Sequence, residues 1–147
     1  MKKNRILFDT NVVLDVLLDR QPHAQASAAA WAAAEGGRCT GVLAAHAVTT
    51  IHYLVRKELG ETEARRVLSS ILGVFEVAPI DGLVIQEALR LAAPDFEDAV
   101  TAAGARAAGC DWIITRDVKG FAGSPVRVLL PEAMLALTLD SGPALIS

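Results

Sequence analysis

Short apolar runs alternate with longer amphipathic segments along the whole 147-residue chain. The apolar runs are bounded by Gly, Pro, Asp or Asn, which favour turns. Runs of this length predict strands, because helices in globular proteins are typically longer. The predicted strands comprise residues 5–8, 38–43, 74–80, 111–115 and 126–130.

The segments between the strands are rich in Ala and Leu and mostly end at glycine, as helices commonly do. Thr10 or Asn11 is a suitable N-cap for the first helix, Asp81 for a later one, and Pro131 opens the last. The predicted helices cover residues 12–18, a segment from near 22 to 36, 45–59, 62–72, 82–92, a segment ending near 108, and a terminal segment from 131.

Strands and helices therefore alternate, and the strands lack a clear polar face. This pattern is typical of a parallel sheet covered by helices on both faces. We predict a three-layer α/β fold with about four to five parallel strands. No composition shift or linker divides the chain, so residues 1–140 are predicted to form a single domain and 141–147 a short tail.

Composition narrows the functional class. With 52% hydrophobic residues the chain is not disordered, and no run approaches the roughly 18 apolar residues of a membrane span. Asp9 and Asp15 interrupt the apolar stretch behind the basic N-terminus, so we predict no secretion signal. Cys39 and Cys110 form no CxxC pair and are typical of buried thiols in a reducing compartment, which predicts a cytoplasmic protein.

The formal net charge of −3 differs from the strongly basic balance of a nucleic-acid coat protein. It leaves open an enzyme that acts on nucleic acid, because local clusters of charge can outweigh the total.

The acidic residues suggest where chemistry occurs. Sites in open parallel sheets form outside the carboxyl ends of the strands, near the switch in strand order. Asp9 ends the first strand, Asp117 follows the strand "DWIIT", and Asp98 opens the helix that leads into it. If these two strands are neighbours, the three aspartates converge.

Converging carboxylates repel one another, and a divalent cation removes that penalty. Mg²⁺ and Mn²⁺ prefer oxygen ligands, and a metal-bound water is suited to phosphodiester hydrolysis. Each acid also has a simpler interpretation. Asp9 could be a helix N-cap or a turn residue, and Asp117 could close a turn. Asp95 is better explained as a helix cap than as a fourth ligand, and Glu97 and Asp15 as solvated residues.

The stretches "ILFDTNVVLD" and "DFEDAVTAAGARAAGCDWIITRD", followed by Gly120–Phe121, resemble the PIN-domain ribonucleases. Many of these are VapC-like toxins of bacterial and archaeal toxin–antitoxin pairs. The resemblance runs from the first strand to the terminal helix. It implies a compact α/β domain, a site that binds Mg²⁺ or Mn²⁺, RNA as the substrate and an antitoxin protein as a partner.

The resemblance also assigns roles. Asp9, Asp98 and Asp117 match the catalytic, metal-binding acids of the family. Asn11 matches a polar residue that orients the first acid, and Thr115 a hydroxyl residue near the site.

Two surface features are weaker candidates. Arg116 is a candidate for binding a substrate phosphate, with a solvated or salt-bridged side chain as the alternative. The Ala-rich segment 24–34 would suit a homodimer face, although ordinary core packing is the preferred explanation.

One member of the family pattern is missing. The family usually has a Glu in the helix after the second strand, but "AAHAVTTIHYLVRK" contains no acid, and Thr49 or Thr50 falls at the expected place. A hydroxyl can hold a metal-bound water but brings no charge. His46 and His52 do not share one helix face at i, i+4 spacing, so we do not expect them to replace the ligand.

These features leave two functions in competition. The first is a metal-dependent endoribonuclease of the toxin type. The second is a binding module that keeps the fold but has weak or lost catalysis because the helix Glu is absent. A phosphatase of the haloacid dehalogenase type would need Asp at position 11, and a phosphorylation receiver would need an acid pair at the first strand. The sequence favours neither.

Overall fold

A computed structural model describes residues 3–140, and within them strands and helices alternate in the predicted order. The strands are β1 (Arg5–Phe8), β2 (Thr40–Ala44), β3 (Glu76–Ala78), β4 (Trp112–Ile114) and β5 (Arg127–Leu129). The helices are α1 (Thr10–Leu17), α2 (Ala24–Glu35), α3 (Ala45–Leu59), α4 (Glu61–Leu72), α5 (Gly82–Arg90), α6 (Phe96–Ala107) and α7 (Pro131–Asp140), with a short 3₁₀ helix at Val118–Phe121.

The five strands form one parallel sheet in the order β3-β2-β1-β4-β5. The chain first winds outward from β1 to β3 and then returns to place β4 on the other side of β1. The switch in strand order therefore lies between β1 and β4, where ligand sites of open α/β sheets occur. The predicted α/β fold is confirmed.

Side chains alternate between the two faces of the sheet, as the pleat requires. Ile6 and Phe8 of β1 pack in a cluster with α1 to α4 and Met134 of α7, whereas Leu7 packs with Ala102 and Ala105 of α6 on the other face. Both layers are nearly closed to solvent, which explains why the strands read as continuous apolar runs.

Two predicted boundaries are wrong. The apolar run 74–80 forms only a three-residue strand, because the backbone N–H groups of Val74 and Phe75 still donate to the carbonyl of Ile71 at the end of α4. The N-cap of α1 is Asp9, not Thr10 or Asn11, since its carboxylate accepts the Thr10 N–H, which confirms the cap given as a simpler interpretation of Asp9. Asp81 caps α5 as predicted.

Within residues 3–140, no helix is both long and apolar enough to cross a membrane. Cys39 and Cys110 are free thiols, and burial raises the pKa of each to about 11. The predicted tail, 141–147, lies outside the described residues.

Candidate functional site

The carboxyl ends of β1 and β4 lie side by side at the switch in strand order. Phe8 pairs with Ile114 in the parallel register, and the next backbone N–H, that of Asp9, donates to the carbonyl of Ile114 at 3.0 Å. Asp9 and the segment from Thr115 to Asp117 therefore leave the sheet at the same edge, as the sequence predicts.

Thr115, which is fully buried, connects the residues at this edge. Its hydroxyl donates to Asp9 Oδ2 at 2.8 Å and accepts the Asn11 amide at 3.2 Å and the Asp117 N–H at 3.0 Å. Asn11 Nδ2 also lies 3.4 Å from Asp9 Oδ2, and Asn11 Oδ1 accepts the Arg116 N–H at 3.3 Å. Asn11 and Thr115 thus occupy the supporting positions that the resemblance implies.

The first turn of α6 brings Asp98 to the same place. Asp95 is the N-cap of α6 and accepts the Asp98 N–H at 3.0 Å, so one of its oxygens serves the helix end, as predicted. A Cβ atom at Gly120 would lie 2.6 Å from Asp117 Oδ2 and 2.7 Å from Asp98 Oδ2. Both carboxylates therefore point at one small space, which glycine leaves open.

The acids disturb one another electrostatically. Burial, and then the charges of Asp9, Asp95, Asp117 and Glu97, raise the pKa of Asp98 from 3.8 to about 7. Burial is also the largest cause of the raised pKa of Asp9, which the hydrogen bonds from Thr115 and Thr10 only partly offset. Negative charge is thus crowded here, in a place where a cation would relieve it.

Glu97, which the sequence analysis interprets as a solvated residue, adds to the negative charge around these aspartates. Glu97 is exposed, as predicted, and its charge is one of the smaller causes that raise the pKa values of Asp9 and Asp98.

The prediction that Asp15 is solvated is wrong. Asp15 is fully buried, accepts the Ser27 hydroxyl at 3.1 Å and pairs with Arg116 Nε at 2.7 Å. A signal was present in the sequence, because Asn11 and Asp15 are four residues apart and share one helix face. Arg116 therefore has the salt-bridged structure given as its alternative, and a contact with substrate stays a prediction.

The helix that carries the family Glu shows no replacement acid. Thr49 is exposed and donates to the carbonyl of His46 within α3, and Thr50 is half-buried on the same helix. Neither brings charge to the site, and their supporting role stays a prediction.

A scan against protein-family models matches residues 5–119 of the chain to the PIN domain. The chain belongs to the PIN domain family. No curated protein sequence matches it.

Solved structures with the same fold include toxin–antitoxin proteins. VapBC2 from Rickettsia felis, bound to a DNA fragment from its promoter, is 14% identical and covers 86% of this chain and 98% of its own, with a TM-score of 0.67. A toxin–antitoxin complex from Klebsiella pneumoniae is 23% identical, covers 86% and 97%, and has a TM-score of 0.63. VapC20 from Mycobacterium tuberculosis, which cleaves the sarcin–ricin loop, is 17% identical, covers 74% and 86%, and has a TM-score of 0.59.

The donor set of this PIN domain fits a hard divalent cation, since every candidate ligand is a carboxylate oxygen. Among the residues that the structure describes, no three His, Cys, Asp or Glu side chains are already close enough to enclose an ion. The space at Gly120, with Asp98 and Asp117 on either side and Asp9 nearby, is where a cation would bring them together.

The pKa of Asp98 predicts how the stability of the PIN domain changes with pH. In EDTA, the folded protein keeps a proton on Asp98 up to about pH 7, whereas the unfolded chain loses it near pH 4. The folded state binds more protons in that window, so the free energy of unfolding should fall as the pH rises through it. Urea unfolding in EDTA between pH 5 and 8 would measure this decline.

Asp98→Asn should flatten the decline and raise the melting temperature at pH 8 by a few degrees, because the repelled charge is gone. The size is moderate, since Asp98 is half-exposed and solvent screens its charge. Asp81→Asn, which changes an aspartate cap far from the site, should keep the wild-type slope. Equal slopes in wild type and Asp98→Asn would contradict the electrostatic description.

Proposed function

We propose that this PIN domain is a divalent-metal-dependent endoribonuclease that hydrolyses RNA phosphodiester bonds and acts as the toxin of a toxin–antitoxin pair. The observation that carries the proposal is the approach of Asp98 and Asp117 to the space at Gly120, beside a hydrogen-bonded Asp9. Crowded carboxylates of raised pKa stabilise a folded protein poorly, but they suit the binding of Mg²⁺ or Mn²⁺.

Some residues of the site would bind the cation, and others orient the residues that bind it. Asp98, Asp117 and Asp9 would hold the cation, with Asp95 a further candidate. When bound, the cation supplies positive charge for the scissile phosphate and lowers the pKa of an attacking water. Thr115 and Asn11 fix the Asp9 carboxylate by hydrogen bonds. Asp117 is exposed, so this side of the site is open to an RNA strand.

The toxin assignment is supported by the solved structures that share the fold of this chain. The similar structures include a toxin–antitoxin complex from Klebsiella pneumoniae and VapC20, a toxin that cleaves the sarcin–ricin loop. By analogy, the partners of this chain are an antitoxin protein and RNA. The cytoplasmic location and the homodimer stay predictions.

The test is cleavage of RNA by the purified chain. Single-stranded and structured RNAs would be incubated with Mn²⁺, with Mg²⁺, or with EDTA. We expect discrete cleavage with either metal and intact RNA in EDTA. Intact RNA at millimolar metal would contradict the nuclease assignment.

The binding-module alternative is favoured by one observation, the absence of any acidic residue between Glu35 and Glu58, a stretch that includes β2 and most of α3. Calorimetric titration with Mn²⁺ separates the two functions when it is combined with the cleavage assay. Metal binding without cleavage, or cleavage without metal, would move the assignment from a metal-dependent nuclease to that alternative or to another mechanism.

A further inference from the structure

A cavity of about 340 Å³ adjoins the chain segment between Thr115 and Asp117. Its walls include Pro22, His23 and Ser27 where α2 begins, Pro131 and Glu132 where α7 begins, and Arg116. Pockets that bind small ligands usually have a volume of this order or larger, with apolar walls and a few polar groups. The proline rings supply the apolar surface here, and Arg116 and Glu132 supply the charged groups.

Arg116 connects this cavity to the edge of the sheet where the acids meet. It directly precedes Asp117, and its backbone N–H donates to Asn11 Oδ1 at 3.3 Å. The amide of Asn11 in turn lies 3.4 Å from Asp9 Oδ2. A group bound at Arg116 would therefore lie next to an RNA phosphate at the proposed metal site.

The guanidinium group of Arg116 is held in place by the protein itself. Its Nε donates to Asp15 Oδ2 at 2.7 Å, and Asp15 is fully buried and also accepts the Ser27 hydroxyl at 3.1 Å. Movement of Arg116 away from Asp15 would leave a buried carboxylate without its countercharge, which is strongly unfavourable. A group that is oriented before a ligand arrives binds with a smaller loss of conformational entropy.

Most of the hydrogen-bonding capacity of Arg116 is left over. A guanidinium group has five N–H donors, and among the residues that the structure describes only the Nε–H has an acceptor. The side chain keeps 29% of its surface exposed and lines the cavity. The four N–H groups of the two terminal nitrogens are thus available to a ligand.

Glu132 adds an acceptor to the same cavity. Its carboxylate is exposed and forms no hydrogen bond or ion pair with any other residue in the described part of the chain. The negative charge of Glu132 would repel a phosphate, and the charge of Arg116 is already balanced by Asp15. The cavity therefore suits an uncharged group that presents both acceptors and donors better than it suits an anion.

A nucleobase is such a group. Proteins that read single-stranded RNA take up unstacked bases and form hydrogen bonds with their edges. Arginine commonly donates to O6 and N7 of guanine, which are adjacent acceptors. Guanine also carries adjacent donors, N1–H and the N2 amino group, which the two oxygens of a carboxylate can accept together. None of the other three RNA bases combines adjacent acceptors with adjacent donors.

We propose that this cavity binds a guanine base of the RNA beside the cleaved phosphodiester bond. Arg116 donates to O6 and N7, and Glu132 accepts from N1–H and the amino group. Asp15 is the positioning residue that holds Arg116 in the orientation for this contact. The inference rests on the proposed function and deepens it, because it assigns a base preference to the same site.

The experiment is an NMR titration of the ¹⁵N-labelled full chain in EDTA with GMP, AMP, CMP and UMP. These probes carry the same ribose and phosphate, so a difference among them reports on the base alone. We expect GMP to bind about tenfold more tightly than the other three, as a bidentate contact between arginine and guanine allows. The backbone N–H signals of Ser27 and Arg116 should shift on binding. Equal affinities, or a preference for another base, would overturn the proposal.

Glu132→Gln tests the acceptor. Glutamine places an amino group where guanine also presents a donor, so the preference for GMP over UMP should disappear. Glu58→Gln, which changes an exposed glutamate of α3 outside the cavity, is the matched control and should keep the preference. A full preference for GMP in Glu132→Gln would overturn the assignment.

Arg116→Lys tests the donors. Lysine keeps a positive charge beside Asp15 but loses the planar fork of N–H groups, so the preference for GMP should again disappear. Urea unfolding shows whether this variant folds, and Glu132→Gln decides the question if it does not, because Glu132 has no protein contact to lose. A full preference for GMP in folded Arg116→Lys would contradict the role of Arg116.

Failure of this inference is distinct from failure of the proposed function, because mononucleotide binding in EDTA requires neither metal nor cleavage. If RNA is cleaved with Mn²⁺ but GMP binds no more tightly than UMP, the nuclease assignment stands and the guanine site falls. If GMP is preferred in a Glu132-dependent manner but RNA stays intact with Mn²⁺, the guanine site stands and the nuclease assignment falls.

Discussion

Asp9→Asn is expected to lower metal-dependent RNA cleavage by about a hundredfold or more. Even outer-shell partners of a bound metal contribute about 10- to 100-fold, and Asp9 is proposed as a direct ligand. Stability should fall by about 1 kcal/mol, because the one carbonyl oxygen of asparagine can keep the Thr10 N–H, whereas its NH2 group replaces the oxygen that accepts the Thr115 hydroxyl. Initial cleavage rates at saturating Mn²⁺ and thermal unfolding in EDTA would measure the two effects.

The chain offers a close control for this variant. Asp81 is also a helix N-cap, with its carboxylate on the Val84 N–H, but it lies at α5 and outside the group of converging acids. Asp81→Asn should cleave RNA as the wild type does. If Asp9→Asn retained full cleavage, Asp9 would be no more than a cap. If Asp81→Asn lost it equally, the effect would not be specific to the site.

Asp15→Ala is expected to destabilise the protein by about 3 kcal/mol or more. The carboxylate is fully buried and pairs with Arg116 Nε at 2.7 Å, and removal of one partner of a buried pair typically costs about 3–5 kcal/mol. The lower end of that range applies because Arg116 keeps 29% of its side-chain surface exposed and can be partly solvated. Urea unfolding at pH 7 would measure the loss.

A double variant separates the ion pair from simple packing. Asp15→Leu combined with Arg116→Met replaces both charges with apolar groups of similar size, and this exchange is often close to neutral. We expect it to recover most of the stability that Asp15→Ala loses. A loss below about 0.5 kcal/mol in Asp15→Ala would show that the pair contributes nothing to stability.

The fold followed from simple rules. β1 and α3 have the bounds that the sequence predicts, because polar residues close the apolar run at Asp9 and Gly60 ends the helix. The predicted strand over residues 74–80 is too long, because the first apolar residues of that run complete the last turn of α4. Hydrophobicity indicates that a residue is buried, but it does not show whether that residue belongs to the end of a helix or to the strand that follows.

The site was predictable as far as the sheet determines it. Asp9 and Asp117 follow neighbouring parallel strands, so their meeting follows from topology. The surroundings of Glu97 and His46 depend on how α3 and α6 pack on the sheet, which spacing along the chain does not determine. Asp15 was missed because a lone carboxylate on a helix is usually solvated, and its partner, Arg116, is 101 residues further along.

The hydroxyl of Thr115 has one hydrogen and two lone pairs, and all three are committed within the protein. It has no capacity left for a water molecule or for a 2′-hydroxyl of an incoming RNA. In the proposed hydrolysis, proton transfer would therefore begin or end at another group. Thr115 instead ties Asp9 to the chain leading to Asp117, so the ends of β1 and β4 are held together by side-chain hydrogen bonds as well as by the sheet.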